Sequence, residues 1–507
     1  RSGRVLGRTG PEATFGRETP RDAGIAWDVP TEITPPPPNQ VSDAHRPPLF
    51  DPDGNAWVFL THIASGQYSL QLRRSDGHSG TWGPLETISN STSYVSGPEA
   101  TMDTQGNVTV AFRDIAGGYR LYAIRYEVGA GWGPLQQIHM TSNFFQAVEA
   151  GADAFGNVAV VFDPNFSWKP AAWSIAYDAT SGSWGTAQQV SPTGCEIMLP
   201  TILRSASGQA MYLIYLVRSG GPLGLYAHKW NPATLSWGPA EFLPGSENAY
   251  YSGAGPESRF PGVVDSAGDA TVFWGGNPYY PYASRCEAGT WQPAVQLGTF
   301  QVVDVENFGG ADVSSTKDVF GVFSQFDVGL VRFWAFLYES GSGWQPGQNP
   351  QSFSLNLATR TRVCFYRGRK AVATVLGRQN GIRQLTSLLY DGSAWLPDLL
   401  DIPGQEDAYF ADMASDRGEA LLVYEGEINN VNQGIKATFL RAPLPGDLNC
   451  DGAVDGFDIQ PFVLALTDPG EYQSHYPNCD IMNADCNGDG AIDGFDIQPF
   501  VGLLVGN

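Results

Sequence analysis

Apolar and polar residues alternate along most of this chain with a period of two, in short runs entered from tight turns. The runs "DPDGNAWVFL", "DTQGNVTVAF", "DAFGNVAVVF" and "DSAGDATVFW" show it best, and "SASGQAMYLI", "SSTKDVFGVF", "YRGRKAVATV" and "SDRGEALLVY" are weaker copies. Such alternation after Gly, Asn or Asp predicts a strand leaving a hairpin turn. About 28 residues beyond each turn comes a second phrase centred on tryptophan, at Trp82, Trp132, Trp184, Trp237, Trp291, Trp344 and Trp395, with spacings of 50, 52, 53, 54, 53 and 51. Each unit reads as four strands: a first one such as "GPEATMD", the alternating strand after the turn, a third such as "RLYAIRYE", and the Trp strand. Four-stranded sheets repeated at this period are the blades of a β-propeller.

Eight turn phrases face only seven Trp phrases, and the N-terminus supplies the eighth, "IAWDVPTEI" around Trp27. The unit after Ser415 ends at "IKATFLRA" without a Trp strand of its own. A chain that gives one strand at its start and three at its end closes a ring. The expected fold is all-β, an eight-bladed propeller over 25–442 with strand 26–34 completing the last blade. An arm (1–24) precedes it, and a linker (443–446) leads to a small α-helical domain (447–507). "PPPP" at 35–38 stiffens the passage into the first blade. The eight tryptophans are expected to pack blade on blade. Asp51, Asp103, Asp153 and Asp265 are expected to hold hairpin turns through their side chains rather than a metal.

Composition agrees with a turn-rich β protein: 60 Gly, 36 Pro, 12% aromatic and 16% charged residues in 507. The formal charge of −23 argues against nucleic acid and anionic membranes as partners. No run of eighteen apolar residues offers a membrane span. The chain opens on Arg1 with no apolar leader, as a processed secreted protein would. Charge is uneven: residues 447–507 hold eleven acidic residues and no Lys or Arg, whereas the arm carries five arginines against three acids. Cys195, Cys286 and Cys364 are scattered, while Cys450, Cys479 and Cys486 crowd the tail and allow one local disulfide, its partners open.

The tail writes one phrase twice, "DLNCDGAVDGFDIQPFV" and "DCNGDGAIDGFDIQPFV". Asp447, Asn449, Asp451, Asp455 and Asp458 fall at positions 1, 3, 5, 9 and 12 of a loop with Gly452 at position 6; Asp485, Asn487, Asp489, Asp493 and Asp496 repeat them around Gly490. That is the spacing of an EF-hand calcium loop, with Ala453 and Ala491 lending backbone carbonyls at position 7, so two calcium ions are expected. "IQPFV" after each loop predicts a helix capped by Asp458 or Asp496, with Pro461 or Pro499 in its first turn.

This duplicated loop–helix with Asp at position 12 resembles the dockerin family of bacterial secreted proteins. The resemblance covers about 60 of 507 residues. It implies calcium-coupled folding and docking to a cohesin-type receptor or a cell-surface scaffold. Positions 10 and 11, where dockerins often carry small or hydroxyl residues, are here Gly456-Phe457 and Gly494-Phe495. The repeated "GFDIQPFV" marks Phe457, Phe462, Phe495 and Phe500 as a docking surface.

No H-E-x-x-H, G-x-S-x-G or phosphate loop appears, and the histidines fall at unrelated repeat positions. "SDGHSGTW" reads as a turn. Loops on one face of the ring are aromatic: Tyr94, Phe144, Phe145, Tyr250, Tyr251 and Phe308 between blades, and Phe166, Trp168, Tyr279, Tyr280 and Tyr282 within them. Such rings suit sugar faces, or pack loops onto neighbouring blades. The favoured reading is a secreted, non-catalytic structural or adhesive ring, attached by its calcium tail to a cell-surface scaffold or to further copies of itself in a filament. The alternative is a propeller that binds or cleaves polysaccharide.

Overall fold

In the computed structural model each unit of about fifty residues forms one antiparallel sheet, and there are eight such sheets. The model describes residues 25–34 and, with interruptions of which 35–39, 251–258, 302–308 and 403–407 are the longest, 40–505. The arm and the "PPPP" segment lie outside the described residues. Blade 2 shows the common order: Val95–Met102, Val108–Asp114, Tyr119–Glu127, then the Trp strand from Gly131–Trp132. The first strand of each blade touches that of the next around the whole circle. Ala408–Asp416 of blade 8 meets Leu49–Phe50 of blade 1.

Closure takes the expected form. Ala26–Trp27 pairs with the end of Val431–Arg441 in the register Ala26↔Arg441 and Trp27↔Leu440, and Thr31–Glu32 continues it with Thr31↔Ala437 and Glu32↔Lys436. Between them the Asp28 amide donates to the Phe439 carbonyl at 2.8 Å, and the Thr438 hydroxyl to the Asp28 carbonyl at 2.7 Å. The ring is thus sealed by backbone hydrogen bonds between segments about 410 residues apart.

One expectation needs correction. The Trp strand is a single piece in blade 7 (Trp395–Leu400) but two in the others; in blade 2 it breaks into Gly131–Trp132 and Gln136–Thr141. In blade 2 the Gly133 amide still donates to Arg125 at 2.8 Å before the ladder lapses at Pro134, which has no N–H, but the break does not require proline: blade 3 has Thr186 at that place and is broken, and blade 7 has Pro397 and is not.

The repeated tryptophans reach back to the preceding blade, as expected. Trp132 meets Phe59 at 6.2 Å, Trp82 meets Phe439 of blade 8 at 6.3 Å, and Trp344 meets Phe273 at 5.7 Å. Trp237 donates its indole N–H to Ser174 at 3.0 Å, and Trp27 to Ser387 at 2.8 Å. The aspartates hold turns: one oxygen of Asp103 accepts from the Gln105 and Asn107 amides at 3.0 and 2.9 Å, and Asp153 does the same for Phe155 and Asn157. Gly106 completes that turn at φ +85°, where a side chain would be strained.

The tail has its own core, built on Leu448, Phe462, Ala465, Tyr472, Cys479, Ala484 and Phe500. Its helices are Ile459–Thr467, Pro469–His475 and Ile497–Leu504. Pro461 sits in the first turn, where its missing N–H leaves no gap in the helix. Cys450 and Cys479 form the local disulfide, leaving Cys486 free. Among the described residues no helix is long and apolar enough to cross a membrane.

Candidate functional site

Each tail loop folds around the carboxylate at its position 12. Asp458 is buried; one oxygen accepts from the Leu448 and Asn449 amides at 2.7 and 3.1 Å and the other from Asp455 at 2.9 Å. Asp496 repeats this with Asn487 at 3.1 Å and Asp493 at 2.9 Å. Neither carboxylate caps its helix, contrary to the expectation. Position 9 instead caps the short 3-10 turn Gly456–Asp458 that leads into the first helix, Asp455 accepting from Phe457 at 2.8 Å, and Asp493 makes the matching bond to Phe495 at 2.8 Å.

The position-1 residues Asp447 and Asp485 are buried too. Asp451 receives its backbone bonds from within the loop, its amide donating to Asp447 at 3.2 Å and to Asn449 at 2.9 Å. Burial pushes the Asp458 carboxyl above the ordinary carboxylate range, opposed by its three amide donors and reinforced by the charge of Asp451. The donor set is all oxygen and strongly acidic, the chemistry of a hard cation rather than zinc. Among the described residues, which exclude Asp489, no three His, Cys, Asp or Glu side chains are drawn together as a finished metal cluster. Ala453 and Ala491 lie at the turn out of each loop.

The expected docking surface divides in two. Phe457 and Phe495 are 77% and 79% exposed. Phe462 and Phe500 are buried and stacked on each other at 4.0 Å, so they form the core rather than a surface. The repeat explains this correction, because two copies of one helix bury the same residue against each other. Ile459 and Val463 take the places of those rings on the outer face, matched by Ile497 and Val501, and all four are exposed.

On the aromatic face of the ring, Tyr250 and Tyr279 meet edge to face at 5.1 Å and are both 39% exposed. Tyr279 holds φ +76°, a strained conformation for a tyrosine. Tyr282 instead stacks on buried Trp274 at 6.1 Å and bonds Gln296 through its hydroxyl at 3.1 Å, and Tyr280 is half-buried. Tyr94, Phe144, Trp168, Tyr251 and Phe308 lie outside the described residues, as do the side chains of Phe145 and Phe166.

Sequence reasoning missed a charged network across the ring. Arg259, just before the first strand of blade 5, pairs with Glu99 of blade 2 and with Glu149 of blade 3 at 2.5 Å. Arg362 of blade 7 pairs with Asp412 of blade 8 at 3.0 Å. Burial pushes the Glu149 carboxyl up against the pull of Arg259, which the carboxylates of Glu149 and Glu99 hold firmly cationic. A signal was present, since Glu99, Glu149, Arg362 and Asp412 all stand in the first strands of their blades.

His62 and His228 are buried, and His139 packs on the Phe162 ring at 4.9 Å. Burial lowers the pKa of His62 and of His139. His228 donates through Nδ1 to the Gly238 carbonyl at 2.7 Å and accepts from the Tyr215 hydroxyl at 2.9 Å, in a buried pair.

No family model matches the chain, and no curated protein matches it. Solved structures similar to it include a polysaccharide lyase described as an ulvan lyase, at TM-score 0.43 and 11% identity, covering 70% of this chain and 95% of that one. Another is the intramolecular trans-sialidase from Ruminococcus gnavus, at TM-score 0.35 and 9% identity, covering 67% of this chain and 90% of that one. A third is a fucose-recognising six-bladed propeller lectin, Aleuria aurantia lectin, at TM-score 0.32 and 16% identity, covering 61% of this chain and 94% of that one. None of the three is close enough to lend its chemistry to this chain.

Proposed function

We propose that this protein is a secreted, non-catalytic binding ring whose calcium-loaded tail docks it to a protein scaffold. The observation that carries the reading is the doubled apolar face, Phe457, Ile459 and Val463 on one repeat and Phe495, Ile497 and Val501 on the other, exposed on a domain that already has its own core. Paired exposed apolar residues rimmed by acidic ones are the composition of a docking patch. Two near-identical faces give a receptor two alternative ways to bind.

Calcium, when bound, would supply the positive charge that the buried carboxylates lack. Asp447, Asn449, Asp451, Ala453, Asp455 and Asp458 would hold one ion, and Asp485, Asn487, Asp489, Ala491, Asp493 and Asp496 the other. The Cys450–Cys479 disulfide supports an oxidising, extracellular compartment.

The receptor is a cohesin-type module of a surface scaffold or a second copy of this chain. Sedimentation velocity in calcium separates these, alone for self-association and with an added cohesin-type module for the scaffold. One of the two should form a complex, and the double variant Phe457→Asp/Phe495→Asp should weaken it at least tenfold. A chain that stays monomeric and ignores the module, or a variant that binds unchanged, removes the proposal.

A second reading, in which the ring binds or cleaves polysaccharide, draws on the exposed Tyr250–Tyr279 pair. Retention on a polysaccharide column that Tyr279→Ala abolishes would favour it.

A further inference from the structure

A cleft of about 480 Å³ opens between the outer strands of blades 3 and 4. Its blade 3 wall lacks a side chain that blades 1, 2 and 5 carry. In blades 1, 2 and 5 the third strand carries an arginine just before the residue paired with the repeated tryptophan: Arg74 before Ser75↔Trp82, Arg125 before Tyr126↔Trp132, Arg285 before Cys286↔Trp291. Each guanidinium lies over a ring of the next blade, Arg74 over Tyr126 at 5.9 Å, Arg125 over Tyr177 at 4.8 Å and Arg285 over Tyr338 at 4.1 Å. In blade 3 the corresponding residue, before Tyr177↔Trp184, is Ala176. The space that arginine fills in blades 1, 2 and 5 is left to the cleft here; the same place holds Lys229 in blade 4, Leu337 in blade 6 and Leu389 in blade 7.

The turn aspartates differ as well. Asp103 and Asp265 receive the guanidinium groups of Arg125 and Arg285 at 3.3 and 3.4 Å. Asp153 receives the indole N–H of Trp230 from blade 4 at 2.9 Å, as Asp51 receives that of Trp57 within blade 1 at 3.0 Å. Among the described residues no Lys or Arg lines the cleft.

The lining is mostly hydroxyl, carboxamide and indole, with the His228 imidazole and the Val190 and Leu235 side chains beside them. Hydroxyl pairs stand on both lips, Ser181 with Ser183 on blade 3 and Thr234 with Ser236 on blade 4, each 2.8 Å apart. Gln188 and Gln189 add carboxamides, and the part-exposed rings of Trp184 and Trp237 give an apolar wall. The sole charged lining residue is Asp178, at the place of Glu127 and Glu287, which face their arginines at 3.7 and 3.3 Å. The Ser181 hydroxyl and the Thr180 amide hold its carboxyl below the ordinary range, so it is anionic.

We infer that this cleft is a binding site for a neutral saccharide. Its hydroxyl and amide groups match the rim of a sugar, its indoles match the apolar C–H face, and its single negative charge rejects uronates and sulfated sugars. No residue of the tail lines the cleft, so its failure leaves the docking proposal untouched.

The test is isothermal titration of the full chain in calcium with neutral gluco-, xylo-, manno- and galacto-oligosaccharides, with oligogalacturonate as the anionic control. At least one neutral series should bind and shift tryptophan fluorescence, and oligogalacturonate should not. Ala176→Arg, which restores the residue of blades 1, 2 and 5, should weaken binding at least tenfold. The surface double variant Ser183→Ala/Ser236→Ala, which spares the packing, should weaken it severalfold, and Leu223→Ala, exposed outside the cleft, should leave it unchanged. Absence of binding by every neutral series, binding of the anionic control alone, or full affinity in the folded cleft variants would overturn the assignment.

Discussion

Asp312 shows how a single residue couples the ring to pH. It stands on Gly310–Val313 of blade 6, half-buried by area but deep between blades, and one oxygen accepts from the Phe365 amide of blade 7 at 2.7 Å. Burial pushes its carboxyl up to about 7, against the pull of the Phe365 and Val313 amides. The folded state therefore holds this proton more tightly than the unfolded chain. The resulting stability is fully present below about pH 4 and is lost as pH rises through about 7. Asp312→Asn should flatten that decline, so urea unfolding at pH 5 and pH 7.5 should show a smaller difference than in the parent; an unchanged difference would remove Asp312 as its source. Residues of this kind were not legible beforehand, and neither was Arg259, whose partner Glu99 is 160 positions away. The turn aspartates were legible because their partners lie two and four residues on. Phe462 and Phe500 were misplaced because a repeated phrase names a residue twice without saying which face it turns inward.

Among the elements, the closing strand was the most readable, since a missing Trp phrase at one end and a surplus one at the other leave one pairing. Register was not readable, and neither was the break after the tryptophan, which occurs with Thr186 in blade 3 and is missing with Pro397 in blade 7. Trp27 is the closing strand's anchor, buried against Leu389, Leu400 and Leu440 and bonded to Ser387. Trp27→Ala should lower stability by about 3–5 kcal/mol through cavity formation and loss of a strand contact. Calorimetry should show one less stable ring transition with the tail transition unmoved. A parental ring transition would mean that the N-terminal strand does not seal blade 8.

At the scale of the whole molecule, the sequence announced two architectures, a period of about fifty residues and a doubled acidic phrase, and the sheets and the separate tail core correspond to them. What it could not announce was the difference among blades that look alike. The cleft between blades 3 and 4 has Ala176 in its wall where blades 1, 2 and 5 have arginine, and repeats conceal such differences until their spatial equivalence is known. The account of the molecule as a ring carried by a docking tail rests on the tail being a calcium domain. Native mass spectrometry of the intact 54.7 kDa chain after calcium exposure tests this most directly. It should show two bound ions, one lost in Asp451→Ala, one in Asp489→Ala and both in the double variant. A chain that retains no calcium, or variants that retain both ions, would contradict the account.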